Sequence, residues 1–156
     1  MKTRPATAAF VLHSHDWYQQ QGIELVSGQV VVDINRKSKQ VLTDAGLSFD
    51  YDRLLLATGS VPFIIPIANH NHACVLSFRD IRDVNTMLEV TQHKQRVAVI
   101  GGGLLGLEAA NGLLKRGVDV TVIHDTPCLM NRQLDSEAAH LLQKQLEANG
   151  MKFRMG

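Results

Sequence analysis

Three glycines, Gly101, Gly103 and Gly106, stand at the spacing G-x-G-x-x-G after the apolar run Val97-Ala98-Val99-Ile100. Residue types and spacing together fit the cradling of a pyrophosphate. Gly101 lets the backbone turn sharply off a strand end, and Gly103 leaves room for phosphates to approach the main chain. Gly106 lets the following helix pack close to the strand. Gly102, Leu104 and Leu105 fill out the turn, and the helix start offers free N–H groups and a positive dipole end. Ala110, one turn further on, keeps the packing face thin. A glycine turn without a ligand is the alternative, and its surroundings argue against that. The valines and Ile100 before the turn read as a strand buried on both faces. Lys115 and Arg116 in a last helical turn, with Gly117 as cap, end the helix. Val118 to Ile123 then reads as a second buried strand. Strand, glycine turn, helix and parallel strand make up the βαβ unit that binds dinucleotides.

In such units an acidic residue about 20 positions past the glycines holds the adenosine ribose. Here that place falls on His124, with Asp125 next. No arginine stands at either position to hold a 2′-phosphate, and Asp125 can accept from a free 2′-hydroxyl. The expectation is NADH in preference to NADPH.

A second stretch, Asp52-Arg53-Leu54-Leu55-Leu56-Ala57-Thr58-Gly59-Ser60, is an apolar strand pattern ending in small residues, which permit close approach of a ligand or another backbone. His70, His72 and Cys74 alternate, so an extended chain puts them on one side, but no fourth ligand is evident and no metal is expected. His13 and His15 read as surface or cap residues, Trp17 and Tyr18 as packing. No spacing argues for a Ser–His–Asp or Cys–His pair, so no catalytic acid, base or nucleophile is named.

The elements that must position these residues follow from periodicity. Ser14 or Asp16 caps a short helix ended by Gly22, and no clear element precedes Leu12. Ile23–Val26, Val30–Ile34, Val41–Thr43 and Leu47–Tyr51 read as short strands with polar turns between, the region forming a small antiparallel meander. Val61 to Asn71, with Pro62 and Pro66, is irregular. Val75–Phe78 reads as a short strand, and Asp80–Val90 as a helix with Ile81, Val84, Met87 and Leu88 at helical spacing. Asp135 caps a last helix with Ala138, Leu141, Leu142 and Leu146 on its apolar face, closed by Gly150. Met151, Phe153 and Met155 alternate with Lys152 and Arg154 as in a strand.

With 156 residues, 45% hydrophobic and 20% charged, the chain can bury a real core. A net charge of +1 points to no nucleic acid partner. Two cysteines, Cys74 and Cys128, far apart, make neither a disulfide framework nor an iron–sulfur site. No apolar run approaches the roughly 20 residues of a membrane span. Lys2 and Arg4 precede Ala8–Leu12, which is too short for a signal-peptide core. A cytoplasmic setting is the default.

Tyr51-Asp52-Arg53-Leu54-Leu55-Leu56-Ala57-Thr58-Gly59-Ser60-Val61-Pro62 resembles a second FAD-side motif, Y-D-x-L-x-x-A-T-G-S-x-P. Val99 to Glu108 resembles the matching NAD motif, and one linking helix between the two fits as well. On these residues the chain is similar to the pyridine-nucleotide-dependent flavoprotein oxidoreductases, whose NAD domain is inserted into their FAD domain. Leu129-Met130-Asn131-Arg132-Gln133-Leu134-Asp135 resembles a segment of NADH-dependent nitrite reductase large subunits, as does His15 to Ile23.

The resemblance implies an α/β fold: an antiparallel meander from the FAD domain, then half of a Rossmann-type NAD domain. It divides the chain into 1–79, FAD-binding in part, and 80–156, the first half of the NAD domain. It implies that Val30, Ala57, Thr58, Gly59 and Ser60 lie near FAD. Gly101 to Gly106 would hold the NAD pyrophosphate, with Glu108, read in the first helical turn, near the nicotinamide. Outside the family Glu108 reads as a solvated carboxylate favoured by the helix dipole. The implied activity is hydride transfer from NADH to flavin and electrons onward to an acceptor, in nitrite reduction. Rubredoxin- or ferredoxin-reductase chemistry and a truncated, non-catalytic dinucleotide-binding module are the alternatives. The expected partners are the remainder of the same enzyme or an electron-acceptor domain, with homo-oligomerisation open. The family's first FAD glycine motif and the second half of its NAD domain are expected outside these 156 residues. The chain alone is therefore expected to be inactive and to hold FAD weakly.

Overall fold

A computed structural model describes residues 11–93 and 96–156. Lys2, Arg4 and most of Ala8–Leu12 lie outside them. Two compact units divide between Gly59 and Ser60.

In the first unit, helix α1, His15–Gln20, is capped by Ser14, whose side chain accepts from the Trp17 N–H. Asp16 lies inside the first turn rather than at the cap. His13 stacks on Trp17 with ring centroids 3.8 Å apart, and Tyr18 meets Trp17 edge-on. Strands β1 (Val31–Asn35), β2 (Gln40–Thr43) and β3 (Ser48–Asp50) form the expected antiparallel meander in the order β1-β2-β3. Polar side chains make its turns. Asn35 Oδ1 accepts from Lys37 and Ser38, and the half-turn after β2 closes as Thr43 Oγ1 accepts from Leu47. Val30 falls just outside β1. Its N–H and C=O both bond to Asp44, and the register slips between Val31 and Asp33.

Three expected strands do not form. Ile23–Val26, Leu54–Ala57 and Val75–Phe78 run irregular or extended without a ladder. Apolar runs mark residues that prefer burial, but a strand also needs a neighbour's N–H and C=O groups. Among the described residues nothing supplies them, and Leu55 and Leu56 stay exposed.

In the second unit, helix α2 (Ile81–Thr91) starts at a complete capping box, with the Asp80 side chain on the Arg82 and Asp83 N–H groups and Asp83 reaching back to Asp80. The Arg82 guanidinium and these N–H donors hold the Asp80 carboxyl down at about 2. Strands β4 (Arg96–Ile100), β5 (Asp119–His124) and β6 (Lys152–Met155) form a parallel sheet in the order β4-β5-β6. Helix α3 (Leu104–Leu114) crosses from β4 to β5, and α4 (Ser136–Ala148) from β5 to β6. The core is Leu107, Ala110 and Leu113 of α3, Val118 before β5, Val120 and Val122 within it, Leu129, Met151 and Phe153.

Several expectations shift. β4 is not buried on both faces: Val97 and Val99 are half-buried while Arg96, Ala98 and Ile100 are exposed. It pairs only with β5 among the described residues, so its outer edge and one face meet solvent. Helix α3 ends at Leu114 with Lys115 as cap, leaving Lys115 and Arg116 beyond the last turn, and Gly117 takes φ +81°. β5 starts one residue later than read, although Val118 is still buried. The apolar face of α4 is rotated: Ala139 is buried and Leu142 and Leu146 pack on the core, while Leu141 is exposed. Either set satisfies helical spacing, and contact with the sheet selects between them. Among the described residues no helix is long and apolar enough to cross a membrane.

Candidate functional site

The glycine turn joins β4 to α3, and its glycines meet three different surroundings. Gly101 sits at φ +115°, a conformation that side-chain-bearing residues avoid, and its N–H bonds to Ile123 O at 2.8 Å. This draws the turn onto the end of β5. A Cβ on Gly106 would overlap the Gly101 carbonyl oxygen and lie 3.0 Å from its carbon. Helix and strand end therefore approach as closely as backbone allows. Gly103 differs from both: nothing lies within 4 Å of where its Cβ would be. It is the N-cap of α3, in extended geometry, with no side chain on the first N–H groups of the helix. The result is an open, donor-bearing main-chain surface at a helix N-terminus.

Gly102 supplies a fourth contact that the motif does not specify. It is buried, and a Cβ there would stand 2.7 Å from Leu129 Cδ2 and 2.8 Å from His124 Cδ2. Its carbonyl accepts from the Met130 N–H at 3.0 Å. Leu129 is fully buried, and Met130 takes φ +50°. The loop after β5 is thus fastened beneath the turn. Sequence reasoning had Leu129 and Met130 only as part of a family segment. The signal that assigns them a place is an isolated apolar pair between Cys128 and polar Asn131-Arg132-Gln133, right after a buried strand.

His124 closes β5 with a side chain only 11% exposed, and Asp125 beside it is 91% exposed. Leu104 and Leu105 open α3 and are exposed. Glu108 is exposed but lies in the second turn of α3, not the first, because the helix begins at Leu104. The dipole's influence has faded by that point.

Val30, Ala57, Thr58, Gly59 and Ser60 are all exposed, and Gly59 takes φ +74°. The first four belong to the first unit and Ser60 opens the second. Gln29 Oε1, next to Val30 in sequence, is buried and finds no hydrogen-bond partner among the described residues. His70 and His72 fold into their own turn. His70 Nδ1 lies 2.9 Å from Ile67 O, and His72 Nδ1 accepts from the Cys74 N–H. Among the described residues no three metal-ligating side chains gather. A groove of about 680 Å³ within the second unit runs along β4 past Phe78, Met87, Ile100 and Leu105. Its walls are mainly apolar, and it offers no cluster of acids or bases.

The sequence profile of the pyridine nucleotide-disulphide oxidoreductase family matches residues 3–156. The chain is 51% identical over 142 residues to a nitrite reductase [NAD(P)H] of Bacillus subtilis, covering 91% of this chain and 18% of that protein. It is 47% identical, with the same coverage, to the assimilatory nitrate reductase electron transfer subunit of that species. A solved ferredoxin reductase from Rhodopseudomonas palustris superposes with TM-score 0.85 at 28% identity, over 93% of this chain and 36% of that one. The chain thus spans less than a fifth of the two Bacillus relatives.

Proposed function

The chain belongs to the pyridine nucleotide-disulphide oxidoreductase family, and from that premise we propose that it carries the dinucleotide-binding turn of an FAD-dependent NADH oxidoreductase serving nitrite reduction. The observation that carries this is the glycine turn: sealed at Gly106, held left-handed at Gly101, and open at Gly103 above the start of α3. That opening leaves the main chain uncovered at a helix start, and phosphate oxygens suit its free N–H groups. The NAD pyrophosphate lies against Gly101 to Gly106, and Asp125 accepts from the ribose 2′-hydroxyl. NADH is therefore preferred to NADPH.

The chemistry that bound FAD would supply is acceptance of a hydride and onward passage of electrons. Val30 and Ala57 to Ser60 form part of its wall. The fit there rests on the positive φ of Gly59, the exposed Thr58 and Ser60, and the unpartnered Gln29 Oε1 beside Val30. Residues 1–79 belong on this reading to the FAD-binding part and 80–156 to the NAD-binding part. The acceptor of the electrons lies in the remainder of the same enzyme or in a separate domain.

The 47% identity to a nitrate reductase electron transfer subunit favours a second assignment, in which the electrons go to nitrate reduction instead. Calorimetric titration of the chain with NADH and NADPH tests the dinucleotide site. Saturable NADH binding, weaker for NADPH, is expected; no binding of either, or tighter NADPH, refutes it. Neighbouring sequence decides the acceptor, since sirohaem and iron–sulfur cysteines downstream support nitrite reduction.

A further inference from the structure

His124 occupies the place of the usual ribose-binding acid, yet its ring is turned into the protein. The Thr126 hydroxyl has one proton, which it donates to Cys128 O at 3.1 Å. It must therefore accept from His124 Nε2–H, 3.0 Å away. The other ring nitrogen, Nδ1, lies 3.2 Å from Asp125 Oδ1. The ring is thus held through Nε2, and its carbon edge lies beneath Gly102. Immediately after Cys128 come Leu129, buried against Gly102, and Met130, whose N–H holds the Gly102 carbonyl.

We propose that His124 is a positioning residue for the glycine turn: its ring supports Gly102 from below, and its bond to Thr126 locks the loop whose Met130 N–H fixes the Gly102 carbonyl. This inference rests on the dinucleotide reading above. Met130 holds a left-handed backbone that non-glycine residues rarely adopt. Such a conformation persists when its surroundings over-determine it, and the buried Leu129 side chain and the His124–Thr126–Cys128 chain of bonds do so here. The Gly102 carbonyl orients the next peptide, so releasing it tilts the N–H groups that face the phosphates. The effect falls equally on every dinucleotide, because all share the pyrophosphate. Discrimination at the 2′ position belongs to the exposed Asp125, whereas the inward ring of His124 acts through its bond to Thr126.

The test uses the full chain with Thr126→Val, Thr126→Ser and Asp125→Asn. Affinities for NADH and NADPH are measured by calorimetry, and exchange of the Met130 amide by hydrogen–deuterium exchange. Thr126→Val, of nearly equal volume, is expected to weaken NADH and NADPH by the same factor, about five- to tenfold, the loss of one hydrogen bond. It should speed Met130 exchange comparably. Thr126→Ser restores both values, and Asp125→Asn changes the NADH-to-NADPH ratio but not the exchange. Wild-type affinity and wild-type Met130 exchange in a folded Thr126→Val protein overturn the proposal. So does a serine variant as impaired as the valine one, because the hydroxyl would then be irrelevant. If the wild-type chain binds no dinucleotide while Thr126→Val still speeds Met130 exchange, the dinucleotide reading falls and the supporting network stands.

Discussion

Replacing Gly103 with aspartate should move stability and binding in opposite directions. Gly103 is the N-cap of α3, at φ −84° and ψ −177°, extended backbone that any residue adopts without strain. Nothing lies within 4 Å of its Cβ position, so the new side chain meets no wall. Aspartate is among the best N-cap residues and glycine only a few tenths of a kcal/mol poorer, and a negative charge there also favours the dipole by roughly 0.3–1 kcal/mol. The fold should thus gain up to about 1 kcal/mol, a rise in Tm of about 2–8 °C for a unit of this size. Binding should collapse. A carboxylate about 4 Å from a phosphate charge, at an effective dielectric of about 20, is repelled by about 4 kcal/mol per charge. That is roughly a thousandfold in affinity, before the loss of space is counted. Thermal unfolding followed by circular dichroism and calorimetric titration with NADH measure the two halves. Unchanged NADH affinity would refute the phosphate site. A fall in Tm would refute the cap geometry.

Gly106→Ala should do the reverse to the fold, since its Cβ would overlap the Gly101 carbonyl; overpacking of about 1–3 kcal/mol outweighs about 1 kcal/mol of helix propensity, and denaturant melts should show the loss. Leu129→Ala removes a fully buried side chain and should cost about 2–5 kcal/mol, read as a drop in the urea midpoint. Asp80 is held at about 2 against an ordinary 3.8. Because its folded value is depressed, the stability it contributes is present above pH 3.8 and is lost as pH falls through about 2. An acid titration of helicity should therefore show wild type and Asp80→Asn differing near neutral pH and converging at the lowest pH; a constant difference would refute the assignment.

Residues 96–124 were legible from sequence because local chemistry there admits few conformations. Valines ending at glycines, a helix stopped at Gly117 and a second valine-rich strand dictate a βαβ unit almost without tertiary help. The Asp135 cap and the meander turns are equally local, since a side chain and a backbone N–H a few residues apart settle them. Fold class followed from these pieces. Tertiary contact decided what periodicity leaves degenerate. Leu54–Ala57 has the composition of a strand, but ladder bonds come from a partner distant in sequence. Leu141 and Leu142 are both leucines on one helix, and only the sheet's position half-buries one and exposes the other. His124 and Asp125 are neighbours that both bear polar atoms. The strand's alternation, closed by the Thr126 and Cys128 bonds, turns the histidine inward beneath Gly102 and leaves the aspartate outside. No spacing rule carries that information, because it depends on which atoms meet across a fold rather than along a chain.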